Sequence, residues 1–386
     1  MIKNFGKELK EDFVIESGYT CVNHSSFGYI PKCVLKQRIE NQLRFLQNPD
    51  SFIRYQIPKE SPIVRKTAAE FLNANFNQCF FSSNSAESMN SIIQNLRLSD
   101  KDTILYLNIA YPMVQNVVKY MNTNHKVNAC RIELKVEDLK NEIILQQIEE
   151  NMKTKKITVA ILDNISSLPS IKLPTKEFVE LCKKYDVISI IDGAHGAGIS
   201  EINLKELDPD FFFTNLNKWA FCPCSVNLLY MKEKYLNQIH NNTISVFYGA
   251  GIEKEFEYYG TRDSSVILSV IDGINYINQF GLKQIIQYCE ELAWEGSELV
   301  AKIWETELLV KDKTMHSAMV NVLIPHKDHS YILECQKTCF EKYNVFVVVF
   351  EFDGRSWARF SASIYNCLED YEYAAKQFIN VLKKEG

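Results

Sequence analysis

The sequence predicts an α/β protein: a large domain built on a mostly parallel sheet, followed by a smaller α+β domain. Three observations carry this reading. From about residue 80 to 230, strand-length apolar runs alternate with amphipathic stretches of helical period, the pattern of parallel strands joined by covering helices. Beyond Gly260 the alternation gives way to a long helical stretch and then to mixed short strands and helices. The length, 386 residues, exceeds what one small core organises and suits a large domain with a smaller one.

Residues 30–75 read mostly as helix, interrupted at Pro49, Pro58 and Pro62. Strands are expected at 79–82, 103–107, 157–162, 187–191, 211–214 and 226–230, with amphipathic helices such as 85–96 and 175–185 between them. One helical stretch spans 264–308. Strands at 318–324, 345–351 and 358–361, with helices at 331–342 and 368–384, complete the smaller domain. No internal repeat or low-complexity linker divides the chain.

The bulk properties exclude several classes. A net charge of −5 supplies no electrostatic reason to bind nucleic acid or an anionic membrane surface, so neither is expected as a partner. The longest apolar runs, such as 345–350, are too short to span a bilayer. The first residues are charged and lack the apolar run of a signal peptide. The cysteines number 11 and stand singly apart from Cys222-Pro223-Cys224, with no paired C-x-x-C elements. That usage implies reduced thiols, a cytoplasmic location and no structural metal site.

Two strand ends carry the chemistry. The first reads Ile190-Ile191-Asp192-Gly193-Ala194-His195-Gly196: a buried apolar strand ends in an acid and a glycine-containing turn. The second reads Phe213-Thr214-Asn215-Leu216-Asn217-Lys218-Trp219, where a lysine beside an aromatic follows a strand. Parallel sheets bind ligands at the carboxyl ends of their strands, so both groups face the expected crevice. An aldehyde cofactor needs this pair. A lysine amine bonds to the aldehyde and later moves the substrate Cα proton, while a carboxylate keeps the ring nitrogen protonated so that the ring accepts electrons. Singly, a strand-end Asp is an ordinary turn or cap residue and a Lys is ordinary surface. The ordered pair, about 25 residues apart in this sequence, is far more specific.

At these residues the chain resembles the class V aminotransferase-like enzymes that use pyridoxal 5′-phosphate. The branch it resembles contains isopenicillin N epimerase, plant-type cysteine desulfhydrase and the sulfoxide lyases of ergothioneine and ovothiol synthesis. The resemblance runs from Asn23-His24-Ser25-Ser26-Phe27-Gly28 through Asn164-Ile165-Ser166-Ser167, Asp192 to Gly196 and Asn217-Lys218-Trp219. It continues through Gly260-Thr261-Arg262-Asp263 to Arg359-Phe360-Ser361 and Tyr365-Asn366. It implies the fold type I architecture of pyridoxal-phosphate-dependent transferases, with a large domain at 30–262 and a small domain formed by 1–29 and 263–386.

The resemblance also implies roles. Lys218 would carry the cofactor as a Schiff base, Asp192 would pair with the pyridine nitrogen, and His195 would lie beside the ring. Asn84, Ser85 and Ala86 would open a helix that cradles the phosphate. Tyr111 would stack on the ring, Asn164 would reach the phenolic oxygen and Asn215 the phosphate. Thr261 would reach the phosphate of a neighbouring subunit, which implies a homodimer with a shared site. Arg359 would grip the substrate α-carboxylate with Asn23 and His24 nearby. Taken alone, Asn84 and Ser85 are helix caps, Tyr111 is core packing, Gly260-Thr261 is a turn and Arg359 is half of an ion pair. This chain departs from the family pattern at Ala86, where a hydroxyl is usual, at Asn164 and Asn217, where histidine is common, and at Ser225, which replaces a glycine.

The same activated Cα–H bond leads to β-elimination, epimerisation or transamination, and the fold does not choose among them. By analogy with the branch, the expected reaction is C–S β-elimination from a cysteine-derived amino acid, an S-conjugate or sulfoxide. An amino-acid epimerase or racemase, or an aminotransferase, is the alternative. A cysteine desulfurase is disfavoured because residues 343–358, where such enzymes carry a mobile nucleophilic cysteine, contain none. Cys222, Cys224, Cys335 and Cys339 read as structural. A binding protein without turnover is disfavoured by the joint presence of Lys218, Asp192 and Arg359.

Overall fold

A computed structural model describes residues 4–384; residues 1–3 and 385–386, which the expected small domain includes, lie outside it. Seven strands form the principal sheet: β1 (Cys79–Ser82), β2 (Thr103–Leu107), β3 (Asn128–Ile132), β4 (Val159–Asp163), β5 (Ile188–Asp192), β6 (Phe211–Asn215) and β7 (Asn227–Met231). Their order is β1-β7-β6-β5-β4-β2-β3. Strands β2 to β6 run parallel, and β7 is antiparallel to both β6 and β1. The central strands are buried along both faces, which explains why they read as continuous apolar runs rather than as alternations. Two hydrophobic clusters sandwich the sheet, one on each face.

The second sheet has three antiparallel strands, β8 (Met319–Leu323), β9 (Val348–Phe352) and β10 (Arg355–Ser361), in the order β8-β10-β9. Asp353 and Gly354 join β9 to β10 with positive φ at both positions, the two-residue hairpin geometry that Asp-Gly favours. This turn lets β10 begin at Arg355, three residues before the expected start of the strand. The N-terminal segment lies against β10 and the loop after it. Val22 O accepts from Ser361 N at 2.9 Å, and Cys21 O accepts from the Asn366 side chain at 2.7 Å.

Four expectations need correction. Strand β3 is not among the expected strands, because its sequence Asn-Ala-Cys-Arg-Ile carries two polar residues; it is an edge strand, exposed at three of its five positions. The helical stretch 264–308 is three helices, Ser265–Leu268, Val270–Phe280 and Leu282–Trp304, parted at Ser269 and at Gly281, whose φ of +84° ends the middle helix. Pro49 and Pro58 do stand at helix starts, but Pro62 lies inside the helix Ile57–Phe71 rather than breaking it. Strands β4 and β5 also end one residue later than expected, so Asp163 and Asp192 are their last residues, paired in register.

Candidate active site

A cavity of about 310 Å³ opens at the carboxyl ends of β4, β5 and β6. Asn84, Ser85, Ala86, Tyr111, Asp192, His195, Asn215 and Lys218 all line it. So do Ser26, Phe27, Asp163, Ser167 and Ser225.

At one end lies the start of the helix Ser85–Asn95. Asn84 caps it, its side-chain oxygen accepting from the Glu87 N–H at 2.9 Å. Asn215, the last residue of β6, accepts from the Ser85 N–H at 3.1 Å and from the Asn227 amide at 3.2 Å. Buried Asn227 also accepts from the hydroxyls of Ser82 at 3.1 Å and Ser88 at 2.8 Å, so β6, β7 and the helix start are tied into one polar network. With its carbonyl oxygen so held, Asn215 has its NH₂ end left for an anion. Ala86 lacks a hydroxyl, but its backbone N–H belongs to the first turn, where N–H groups have no helical partner. This end suits a phosphate without the usual side-chain hydroxyl at 86.

At the other end are the ionisable groups. Lys218 sits in the short helix Leu216–Trp219 directly after β6. Gly28, at φ +76°, packs against that turn: a β-carbon there would lie 1.9 Å from Asn217 O, so only glycine lets the N-terminal segment approach. Ser225, at φ +71°, adopts a left-handed conformation beside the cavity, which accounts for the glycine usual there. Burial lowers the Lys218 amine to about 8, Arg359 acts in the same direction, and Asp192 and Asp163 oppose the shift. Lys218 Nζ lies 3.0 Å from His195 Nε2. His195 is buried and held well below its ordinary pKa by burial and by the charges of Lys218 and Arg359, so the imidazole is neutral.

Asp192 and Asp163 are both buried and adjacent across the parallel pair β5–β4. Burial lifts Asp192 to about 6, although the Ala194 N–H, at 2.9 Å, and Lys218 favour its charged form. Asp163 is raised well above the carboxylate range, first by burial and then by the charge of Asp192. The two carboxyls thus divide the roles: Asp192 carries the negative charge and Asp163 the proton. Sequence reasoning missed Asp163, although the same signal, an acid ending an apolar strand, marks both.

Arg359, in β10, is 2% exposed. Its guanidinium donates to Ser167 O at 3.2 Å, Ser167 Oγ at 3.1 Å, Asn23 Oδ1 at 2.9 Å and Ser26 Oγ at 2.8 Å. None of these partners is a carboxylate, and Nε has no partner. Burial brings the Arg359 pKa down to about 10. A buried guanidinium without an acid is costly, and a ligand carboxylate entering past Ser26 and Ser167 would offset that cost.

Five expected site residues do not line this cavity: Arg359 and Asn23 stand behind Ser26 and Ser167 of its wall, and Asn164, His24 and Thr261 stand apart. Asn164 does not line this cavity. Successive side chains at a strand end alternate sides, so when Asp163 faces in, Asn164 faces away, into a cleft shared with Lys172, Thr175 and Glu290. His24 is fully buried, its ring 4.9 Å from that of Trp219 and its Nδ1 2.9 Å from the Tyr365 hydroxyl, so it backs the site rather than lining it. Thr261 is exposed, bonded to the Tyr258 hydroxyl at 3.0 Å, and lines a separate hollow with Tyr55 and Val246. Asn23 touches the site through Arg359. The cysteines read as structural are buried at 222, 335 and 339, whereas Cys224 is exposed.

Comparison with known proteins agrees with this geometry. The aminotransferase class-V family model matches residues 30–373. A hercynylcysteine sulfoxide lyase of Schizosaccharomyces pombe is 30% identical over 383 residues, covering 96% of each chain. A probable chloroplastic L-cysteine desulfhydrase of Arabidopsis thaliana is 26% identical over 396 residues, covering 95% of this chain and 83% of that protein. Among solved structures, a cysteine desulfurase from Thermococcus onnurineus NA1 superposes with a TM-score of 0.82 at 18% identity over 99% of both chains. The cystine C–S lyase C-DES superposes with a TM-score of 0.79 at 15% identity, over 94% of this chain and 97% of that one. At such identities these two likenesses establish the fold. An amine, a charged carboxylate, a helix start with Asn215 and a buried guanidinium, set around one cavity, fit the aldehyde, ring nitrogen, phosphate and substrate carboxylate in turn. The chain belongs to the class V aminotransferase family, and its cofactor is pyridoxal 5′-phosphate.

Proposed function

We propose that this protein is a C–S β-lyase that cleaves a cysteine-derived amino acid, an S-conjugate or a sulfoxide. The observation that carries the reading is that Lys218 and Asp192 line one cavity, with Arg359 buried behind Ser26 and Ser167 of its wall, in a chain similar over nearly its whole length to a sulfoxide lyase. Bound pyridoxal 5′-phosphate supplies the electron sink that acidifies the Cα–H bond of an attached amino acid. Lys218 holds the cofactor until substrate arrives and then takes the Cα proton on Nζ. Asp192 holds a proton at the ring nitrogen, and Asp163, itself protonated, leaves that single charge in place. Arg359 orients the α-carboxylate, which sets Cα against Lys218. The β-sulfur group would leave with the C–S electron pair, as a thiol from an S-conjugate or a sulfenic acid from a sulfoxide, and the unsaturated amino acid left behind would hydrolyse to pyruvate and ammonia.

A proton NMR time course in heavy water, with enzyme, L-cysteine, a cysteine S-conjugate and its sulfoxide, tests this directly. Pyruvate formation from one of them is expected. Loss of the Cα–H signal without pyruvate would sink the lyase reading in favour of epimerisation. Arg359→Lys is expected to lower kcat/KM by about 10²-fold, because an ammonium cannot reproduce the two-pronged grip. An amide analogue lacking the α-carboxylate should lose nothing further from the substitution; an equal loss with both substrates would remove Arg359 from carboxylate binding.

We further propose a homodimer in the cytoplasm. Tyr55 and Val246, 72% and 84% exposed, border the hollow that contains Thr261, and a second subunit covering this apolar face supports the assigned role of Thr261 at the partner's phosphate. Among the described residues no helix is long and apolar enough to cross a membrane. Sedimentation should give a dimer, and Val246→Asp should yield monomers with weakened cofactor binding. An active wild-type monomer would refute the shared site.

A further inference from the structure

We propose that Trp219 is a positioning residue that locks His195 in the tautomer whose Nε2–H donates to the Lys218 nitrogen. An indole N–H can only donate, and Trp219 Nε1 donates to His195 Nδ1 at 3.3 Å within a buried pair. A ring nitrogen that accepts carries no proton. A neutral imidazole has one N–H, so the proton is on Nε2, and Nε2 lies 3.0 Å from Lys218 Nζ. Both ring nitrogens are thereby engaged, and turning the ring over would put carbons against both partners.

The polarity of the second hydrogen bond follows. His195 donates and Lys218 accepts, which a lysine nitrogen does only with a free lone pair. An ammonium at that position would bring N–H against N–H. The lock therefore favours the unprotonated nitrogen, the form that bonds to an aldehyde and the form that takes a proton from Cα. The charged groups facing Lys218 are Asp192 and Asp163, which favour the ammonium, and Arg359, which disfavours it. His195 feels Lys218 and Arg359, both of which disfavour an imidazolium.

Trp219 is built to hold this position. It is 2% exposed and packs against the ring of His24 at 4.9 Å. Its backbone is pressed by Gly198, where a β-carbon would lie 2.2 Å from Trp219 O. His24, which backs the cavity rather than lining it, thus gains a function as the wall that steadies the indole.

The inference rests on Lys218 as the cofactor-bearing amine and is independent of the substrate. The test is nitrogen-15 NMR of the enzyme loaded with pyridoxal 5′-phosphate and labelled at histidine, with His195 assigned through a His195→Gln variant. His195 is expected to show a bare Nδ1 and a protonated Nε2 throughout the neutral range. Trp219→Phe keeps an aromatic ring but removes the donor, so Nε2 becomes free to accept from a protonated lysine nitrogen. The two tautomers should then mix, the pH midpoint of the bound cofactor's absorbance should rise by about one unit, and kcat should fall with little change in KM. A wild-type His195 protonated on Nδ1, or on both nitrogens, overturns the proposal even if the variant fails to fold. So does a variant with tautomer and midpoint unmoved. Failure of the Lys218 assignment has a separate signature, an unchanged cofactor absorbance in Lys218→Ala.

Discussion

Lys218→Ala is expected to lower kcat by about 10²- to 10⁴-fold, the range a positioned general base contributes, and to abolish the absorbance of the lysine-bound cofactor. Two losses coincide in this variant. The covalent anchor disappears together with the proposed base, and His195, held neutral with Nδ1 already accepting from Trp219, does not replace it. The wild-type pH profile should carry the same residue. In the proposed role Lys218 acts as a base in its unprotonated form, and burial lowers its amine to about 8, so kcat should rise as the pH increases towards that value and level off above it. Added methylamine should restore part of the variant's activity by supplying a free base. A variant that keeps wild-type turnover and colour would remove Lys218 from both roles, and a wild-type profile flat through that range would remove it from the role of base.

Asp192→Asn is the second large effect, a fall in kcat of about 10²- to 10³-fold, comparable to removing a preorganised charge at a reacting centre. The amide preserves size but cannot hold a proton on the ring nitrogen by charge. The companion Asp163→Asn should cost much less, since Asp163 is the neutral member of the pair and an amide is also neutral. The substitution at 192 also relieves Asp163 of its neighbour's charge and so lowers the Asp163 pKa. The double variant should therefore be no better than Asp192→Asn alone. Steady-state kinetics and cofactor absorbance of the three proteins decide it. Equal losses at 163 and 192 would reverse the division of charge between them.

How much of this site was legible beforehand follows from the kind of information each residue carries. Lys218 and Asp192 were legible because each follows an apolar strand, and strand ends in a parallel sheet point to one crevice. Asn84 and Ser85 were legible as the opening of a helix. Asp163 has the same signature as Asp192, an acid that ends an apolar strand, but at this strand end the resemblance points to its neighbour Asn164. With a side-chain period of two, a shift of one residue exchanges the face that looks into the cavity for the face that looks away. Trp219 carries no local signal of its role, because its hydrogen bond to His195 spans 24 residues.

Local periodicity, residue type and net charge are enough to give the alternating architecture, the lysine–carboxylate pair and the lack of an electrostatic reason for nucleic-acid or membrane binding. Which residues meet depends on the folded chain. Arg359 reaches Asn23 across 336 positions of chain, His24 turns inward behind Trp219 instead of facing substrate, and Thr261 lies in a hollow apart from the cavity of its own subunit. Such contacts are set by how sheets, helices and the N-terminal segment pack to bury apolar surface. That is a property of the whole folded chain, and the spacing of residues along it does not encode it locally.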